Sequence, residues 1–160
     1  MERFCIFCQK NRAGEPKDIS FEYEGFSFTI FKDGLTCIEC AKRMHIEMFT
    51  KFGKELVKKE GGKVKVNWSH FVETEQQARE GTFSEVKLHR IIEILITLNV
   101  LSYDREGNWD IITSAGFSLV PFYYIFPIYF IREEDAMEYA QIALKNTSNW
   151  RVIHINTAAP

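Results

Sequence analysis

The chain has 160 residues, 46% hydrophobic, 14% aromatic and 26% charged, with nine glycines and four prolines. This excludes disorder and low complexity and fits one domain, or a small module with a compact partner. A formal net charge of −2 and a pI near 6.1 exclude the strongly basic chain that would by itself announce nucleic-acid binding, so any such role must rest on a local patch.

No membrane span is expected. The longest apolar stretch, Phe117 to Ile131, is shorter than the roughly 20 residues a spanning helix needs and contains Pro121 and Pro127. The start, Met1-Glu2-Arg3-Phe4-Cys5, lacks the basic then apolar pattern of a secretion signal. The expected location is cytoplasmic, where thiols stay reduced.

Four cysteines then pose a question of metal or redox chemistry. They fall as Cys5-Ile6-Phe7-Cys8 and Cys37-Ile38-Glu39-Cys40, with 28 residues between the pairs. A two-residue spacer lets both thiolates of a pair face one tetrahedral ion, and two pairs close the shell of a structural Zn2+ site with no position left for water. Two disulfides, a redox pair, a chance spacing and a rubredoxin-like iron centre are the competing readings. The reducing compartment and the absence of a strand-helix-strand pattern at the first pair favour zinc over the redox alternatives.

Between the pairs, Ile19 to Glu24 and Phe26 to Lys32 flank Gly25 and alternate polar with apolar residues, which predicts a hairpin. Asp33-Gly34 turns the chain into the second pair. From Cys37 the pattern is helical, with Met44, Met48, Phe52 and Leu56 at four-residue spacing, and the helix is expected to end near Gly61-Gly62. Knuckle, hairpin and helix is treble-clef order.

The segments Cys5-Ile6-Phe7-Cys8-Gln9-Lys10 and Leu35-Thr36-Cys37-Ile38-Glu39-Cys40 resemble the four-cysteine zinc-binding domain at the amino terminus of the ClpX unfoldase subunit. The resemblance covers at most about the first 60 residues. It implies a zinc fold with Cys5, Cys8, Cys37 and Cys40 as ligands, and it raises dimerisation and the docking of protein partners as uses of the module. No ATPase phosphate loop follows, so unfoldase activity is not implied.

The zinc module is therefore assigned to residues 1–62 and a second domain to residues 63–160. Lys42, Arg43, Lys51, Lys54, Lys58 and Lys59 give the first helix a basic face, partly cancelled by Glu39, Glu47, Glu55 and Glu60; it reads as a solvated face. Val64 to Trp68 looks like a short strand. Thr74 with Gln77 and Thr82 with Glu85 have capping-box spacing and predict two helix starts. The second helix, from Phe83 to about Asn99, presents Leu88, Ile91, Ile92, Leu95 and Leu98 on one side. Strand-like runs ending at Tyr103 and starting at Trp109 flank the turn Asp104 to Asn108.

Residues 70 to 116 thus resemble a winged helix-turn-helix. That resemblance implies nucleic-acid contact through Ser84, Lys87 and Arg90 at the second helix and Arg105 at the wing. Charge opposes it, since Val64 to the end holds eight Lys and Arg against twelve Asp and Glu. The aromatic run Ser118 to Ile131 reads as buried strand or as an interface. Glu133 to Lys145 predicts an amphipathic helix with Ala136, Tyr139, Ala140, Ala143 and Leu144 inward, and Trp150 to Ile155 a last strand. Glu133, Glu134 and Asp135 are explained by the dipole of that helix.

The fold class expected is α+β, a treble-clef zinc module followed by a winged-helix-like domain with a strand-helix-strand ending. No Ser elbow, zincin motif, phosphate loop or dinucleotide fingerprint is present, and the four histidines are scattered, with His45 a packing or surface residue. The expectation is a non-enzymatic regulator that binds nucleic acid, without a small-molecule substrate. The alternative is a protein-interaction adaptor or inhibitor, of the kind a phage or mobile element encodes, that dimerises or docks a partner through the zinc module and an aromatic surface.

Overall fold

The computed structural model describes residues 3–114, 127–147 and 149–156. It is a mixed α+β protein, with four helices and eight strands among the described residues. The first hairpin pairs β1 (Lys17–Tyr23) with β2 (Phe26–Lys32), placing Ile19 opposite Ile30 and Phe21 opposite Phe28. Glu24 and Gly25 both take positive φ, the conformation a two-residue hairpin turn needs. Phe26, Phe28 and Ile30 point inward while Ser27, Thr29 and Phe31 are exposed, the alternation of a half-buried strand.

Helix α1 (Ile38–Phe52) packs on that inner face through His45 and Phe49, whose rings each lie 5.0 Å from that of Phe28. The buried face is therefore Cys40, His45 and Phe49. Met44 is exposed, and Met48 and Phe52 are half-buried, so the four-residue apolar spacing marks a neighbouring stripe. The helix ends at Gly53 and does not reach Gly61-Gly62. The Gly53 N–H bonds the Phe49 carbonyl at 2.7 Å, and a Cβ there would overlap the Phe49 ring. Lys54 thus lies beyond the helix, and Lys58 and Lys59 lie on a strand.

That strand, β3 (Val57–Glu60), forms a second hairpin with β4 (Lys63–Val66). Gly61 and Gly62 make its turn, both at positive φ, where glycine carries no steric penalty. Trp68 opens helix α2 (Trp68–Arg79) rather than ending the strand, and Asn67 caps it by accepting from the His70 N–H at 3.1 Å. Thr74 is mid-helix, its hydroxyl donating to the His70 carbonyl at 2.9 Å, so the expected helix start there is replaced by one seven residues earlier. Helix α3 (Glu85–Thr97) starts at Ser84, not Thr82; the Ser84 hydroxyl accepts from the Lys87 N–H.

A four-stranded sheet closes the chain, built from β5 (Leu101–Ser102), β6 (Trp109–Thr113), β7 (Tyr129–Phe130) and β8 (Trp150–His154) in the order β5-β7-β6-β8. The turn at 104–108 does join two strands, but β7 lies between them, so β5 and β6 do not form a hairpin of their own. The strand-helix-strand ending is present, with helix α4 (Glu133–Ala143) between β7 and β8. Most of the aromatic run lies outside the described residues; within them, Ile128 and Phe130 are buried.

One continuous apolar core runs through the molecule, from Phe28 and Phe49 through Leu56 and Trp68 to Leu95, Ile111 and Tyr139. It crosses the β3–β4 turn, where the division at residue 62 was expected, through Val57 and Val66. The second half adds a polar tie. Asp135, buried in the first turn of α4, accepts from the Trp68 indole N–H at 3.0 Å and from the Arg132 guanidinium at 2.8 Å. It joins α2 to α4, a role beyond favouring the helix dipole.

Candidate metal centre

Cys5 and Cys8 sit on a tight knuckle whose shape comes from backbone hydrogen bonds. The Cys5 N–H bonds the Asn11 carbonyl at 2.8 Å, and the Gln9 N–H bonds the Cys5 carbonyl at 2.9 Å. Gln9 takes φ +58 to make the turn, a position that costs a side-chain-bearing residue more than glycine. The Ile6 N–H reaches the Leu35 carbonyl at 3.0 Å, bringing the knuckle against the loop before α1. Cys37 is the N-cap of α1, its sulfur accepting from the Cys40 N–H, and Cys40 lies in the first turn of the helix.

The four sulfurs lie within 4.8 Å of one another, and the Cys8 and Cys37 Sγ atoms are 3.8 Å apart. A tetrahedral zinc with Zn–S bonds of about 2.3 Å sets neighbouring sulfurs about 3.8 Å apart, so donor type and spacing fit the ion. Cys5, Cys37 and Cys40 are buried and Cys8 is half-buried, and none is in a disulfide. Four thiolates would fill the ion's coordination, leaving no open position at which water or substrate could be activated.

Hydrogen bonds to sulfur complete the shell. The Phe7 N–H donates to Cys5 Sγ and the Cys40 N–H to Cys37 Sγ, each at 3.4 Å, while Asn11 Nδ2 reaches Cys37 at 3.6 Å and Arg43 Nη2 reaches Cys40 at 3.5 Å. Burial pushes the Cys5 thiol up, but N–H donors at Cys37, Cys8 and Phe7 outweigh it and bring the group down to about 6. Backbone N–H groups at Asn11 and Lys10 also lower Cys8. Cys40 is pushed up to about 12 by burial and by the other three cysteines. A cation bound among the sulfurs would oppose the rise at Cys40 by favouring its thiolate.

Sequence reasoning missed Lys32. The residue is 2% exposed, and its ammonium donates to the Ala13, Asp33 and Thr36 carbonyls at 2.6, 2.7 and 2.9 Å, using all three donors to tie the loops around the cluster together. The signal was present: Lys32 is in phase with Phe26, Phe28 and Ile30 on the inner face of β2. His45 is not among the clustered donors; its Nε2 lies 3.0 Å from Thr97 Oγ1, between α1 and α3.

The residues expected to contact nucleic acid are less concentrated. Lys87 and Arg90 are exposed on α3, with Ser84 at its cap, and Glu85 and Glu93 are interleaved with them. Arg90 borders a groove shared with Phe31, Met44 and Glu93. Arg105 lies in the turn after β5, past the opposite end of α3 from Ser84 and Lys87.

No family model, curated protein or solved structure matches the chain. Of the expected ClpX-type zinc-binding domain, the structure supports four clustered cysteines able to bind a metal. No helix among the described residues is long and apolar enough to cross a membrane.

Proposed function

We propose that the protein is a zinc-stabilised, non-enzymatic regulatory protein of the cytoplasm whose partner is nucleic acid. The observation that carries the reading is the four-thiol shell, which can hold Zn2+ but leaves it no site for chemistry. Nucleic acid is favoured as the partner by uneven charge: residues 51–65 hold six lysines against two glutamates, in a chain of net charge −2. Zinc would fix the geometry of the first hairpin and α1, and the lysines that follow would supply the contacts.

A second reading has its own observation. Phe4, Ile6, Phe7 and Leu35 are 40 to 54% exposed on and beside the knuckle, an apolar surface suited to a protein partner or a second copy of the chain. Native mass spectrometry of the purified protein, alone and with a short mixed-sequence DNA duplex at low salt, separates the two. One zinc per chain with a protein–DNA species supports the nucleic-acid reading. One zinc per chain in a stable dimer that ignores DNA moves the assignment to protein interaction.

A further inference from the structure

The lysines of residues 51–65 are gathered by a part of the fold that sequence periodicity did not anticipate. Lys58, Lys63 and Lys65 lie on one face of the β3–β4 ribbon with Glu60, and Lys59 lies on the other. Lys58 stands directly opposite Lys65, a like-charge pair that costs a ladder stability unless an anion lies near. Lys54, Lys58 and Lys65 line a groove of about 630 Å³ with Asn67, His70 and Glu55. Two carboxylates offset the charge, Glu60 at 3.3 Å from Lys58 and Glu138 at 2.8 Å from Lys65, but both pairs are solvent-exposed and exchange readily for other anions. His70 Nε2 lies 3.8 Å from Glu55.

We infer that this ribbon, with Lys54 at its base, grips the phosphate backbone of double-stranded DNA. The inference rests on the nucleic-acid reading above and moves the interface from α3 to β3–β4. Three features select the occupant. Outside residues 51–65 the chain holds fourteen Lys and Arg against twenty Asp and Glu, so an anionic polymer is attracted here and repelled elsewhere. The Gly61-Gly62 tip is open around both glycines, and a two-stranded ribbon fits the roughly 12 Å major groove of B-DNA. None of the large exposed apolar side chains among the described residues falls within 51–65, so the patch lacks the stacking platform that single strands require. Lysines without base-reading partners bind phosphate as point charges, and the binding is independent of sequence.

The test compares the full-length zinc-loaded protein with two variants, one carrying Lys54→Gln, Lys58→Gln, Lys63→Gln and Lys65→Gln, the other Lys87→Gln and Arg90→Gln. Binding to a mixed-sequence DNA duplex and to the corresponding single strand is titrated across salt concentrations, with zinc content and melting temperature as controls. The ribbon variant should keep its zinc and its melting temperature and lose duplex affinity. Its slope of log affinity against log salt should flatten by roughly 3 to 4, at about 0.9 per phosphate contact. The α3 variant should bind as the wild type does, and the wild type should prefer duplex to single strand. Loss of binding confined to the α3 variant, or a preference for single strand, overturns the ribbon while leaving the nucleic-acid reading in place. A wild-type protein that ignores both DNAs at low salt overturns both.

Discussion

The two ends of the molecule solve the same folding problem by different means. Around the cysteines, the loops of residues 3–16 and 33–37 are held by hydrogen bonds, to sulfur from Asn11 and Arg43, between backbone groups, and from the buried Lys32 to three carbonyls. In the second half, Trp68, Phe71, Phe130 and Tyr139 pack ring on ring, at 5.4 to 5.9 Å between centroids, around a core that needs no metal. A short segment that buries little apolar surface would rely on bonds to an ion, whereas a longer one relies on area removed from water. The first region should therefore fail when a ligand is lost, and the second when a buried group loses its partner.

The largest effect is expected at the ligands. Cys37→Ser removes a thiolate and the α1 cap together, and metal binding in modules this small supplies about 10 kcal/mol or more of folding free energy. Zinc should be lost and the knuckle and α1 should unfold, while near-ultraviolet circular dichroism still reports packed aromatics around Trp68. A variant that kept its zinc and its full melting curve would show that Cys37 is not a ligand. Asp135→Ala is the counterpart in the second half. It removes the acceptor of the Trp68 N–H and one partner of Arg132, which keeps the Val64 carbonyl and Glu134, and it should cost about 1 to 3 kcal/mol by chemical denaturation without altering zinc content.

Acid probes the seam between the regions. Burial lowers His45 from 6.5 to about 4, so the folded protein holds the ring neutral. As pH falls below 6.5 the unfolded chain takes up a proton that the folded chain refuses, so stability present above 6.5 declines until about pH 4. The loss has a ceiling of about 3 kcal/mol. His45→Gln should flatten the dependence in denaturant titrations between pH 7 and 5.5. The smallest effect is a gain: Gln9→Gly relieves a positive φ in the knuckle and should stabilise the zinc module by about 1 kcal/mol or less, read as a slower loss of zinc to a chelator.

How legible each region was in the sequence follows from the same contrast. Paired cysteines constrain geometry through a fixed ion radius, so their spacing announced the cluster, and the polar–apolar alternation of residues 19–32 announced the hairpin. The end of α1 was hidden because Lys54, Lys58 and Lys59 extend a helical charge pattern past Gly53, where the close approach of the Phe49 ring decides the matter. Gly61-Gly62 between Val57-Lys58-Lys59-Glu60 and Lys63-Val64-Lys65-Val66 was a readable hairpin signal, with two residues of turn and alternation beyond it. The position of β7 between β5 and β6 could not be read locally, because two residues of strand carry almost no periodicity and their pairing is set by the distant chain. Lys32 and Asp135 were misjudged for one reason: a charge in phase with a buried face is held by partners that only the folded chain brings together.

Four sulfurs holding one ion would show in X-ray absorption at the zinc edge of the purified protein. The predicted result is one zinc per chain with four sulfur neighbours at about 2.3 Å and no nitrogen or oxygen ligand. A folded protein without zinc, a shell containing light-atom ligands, or iron in its place would contradict it.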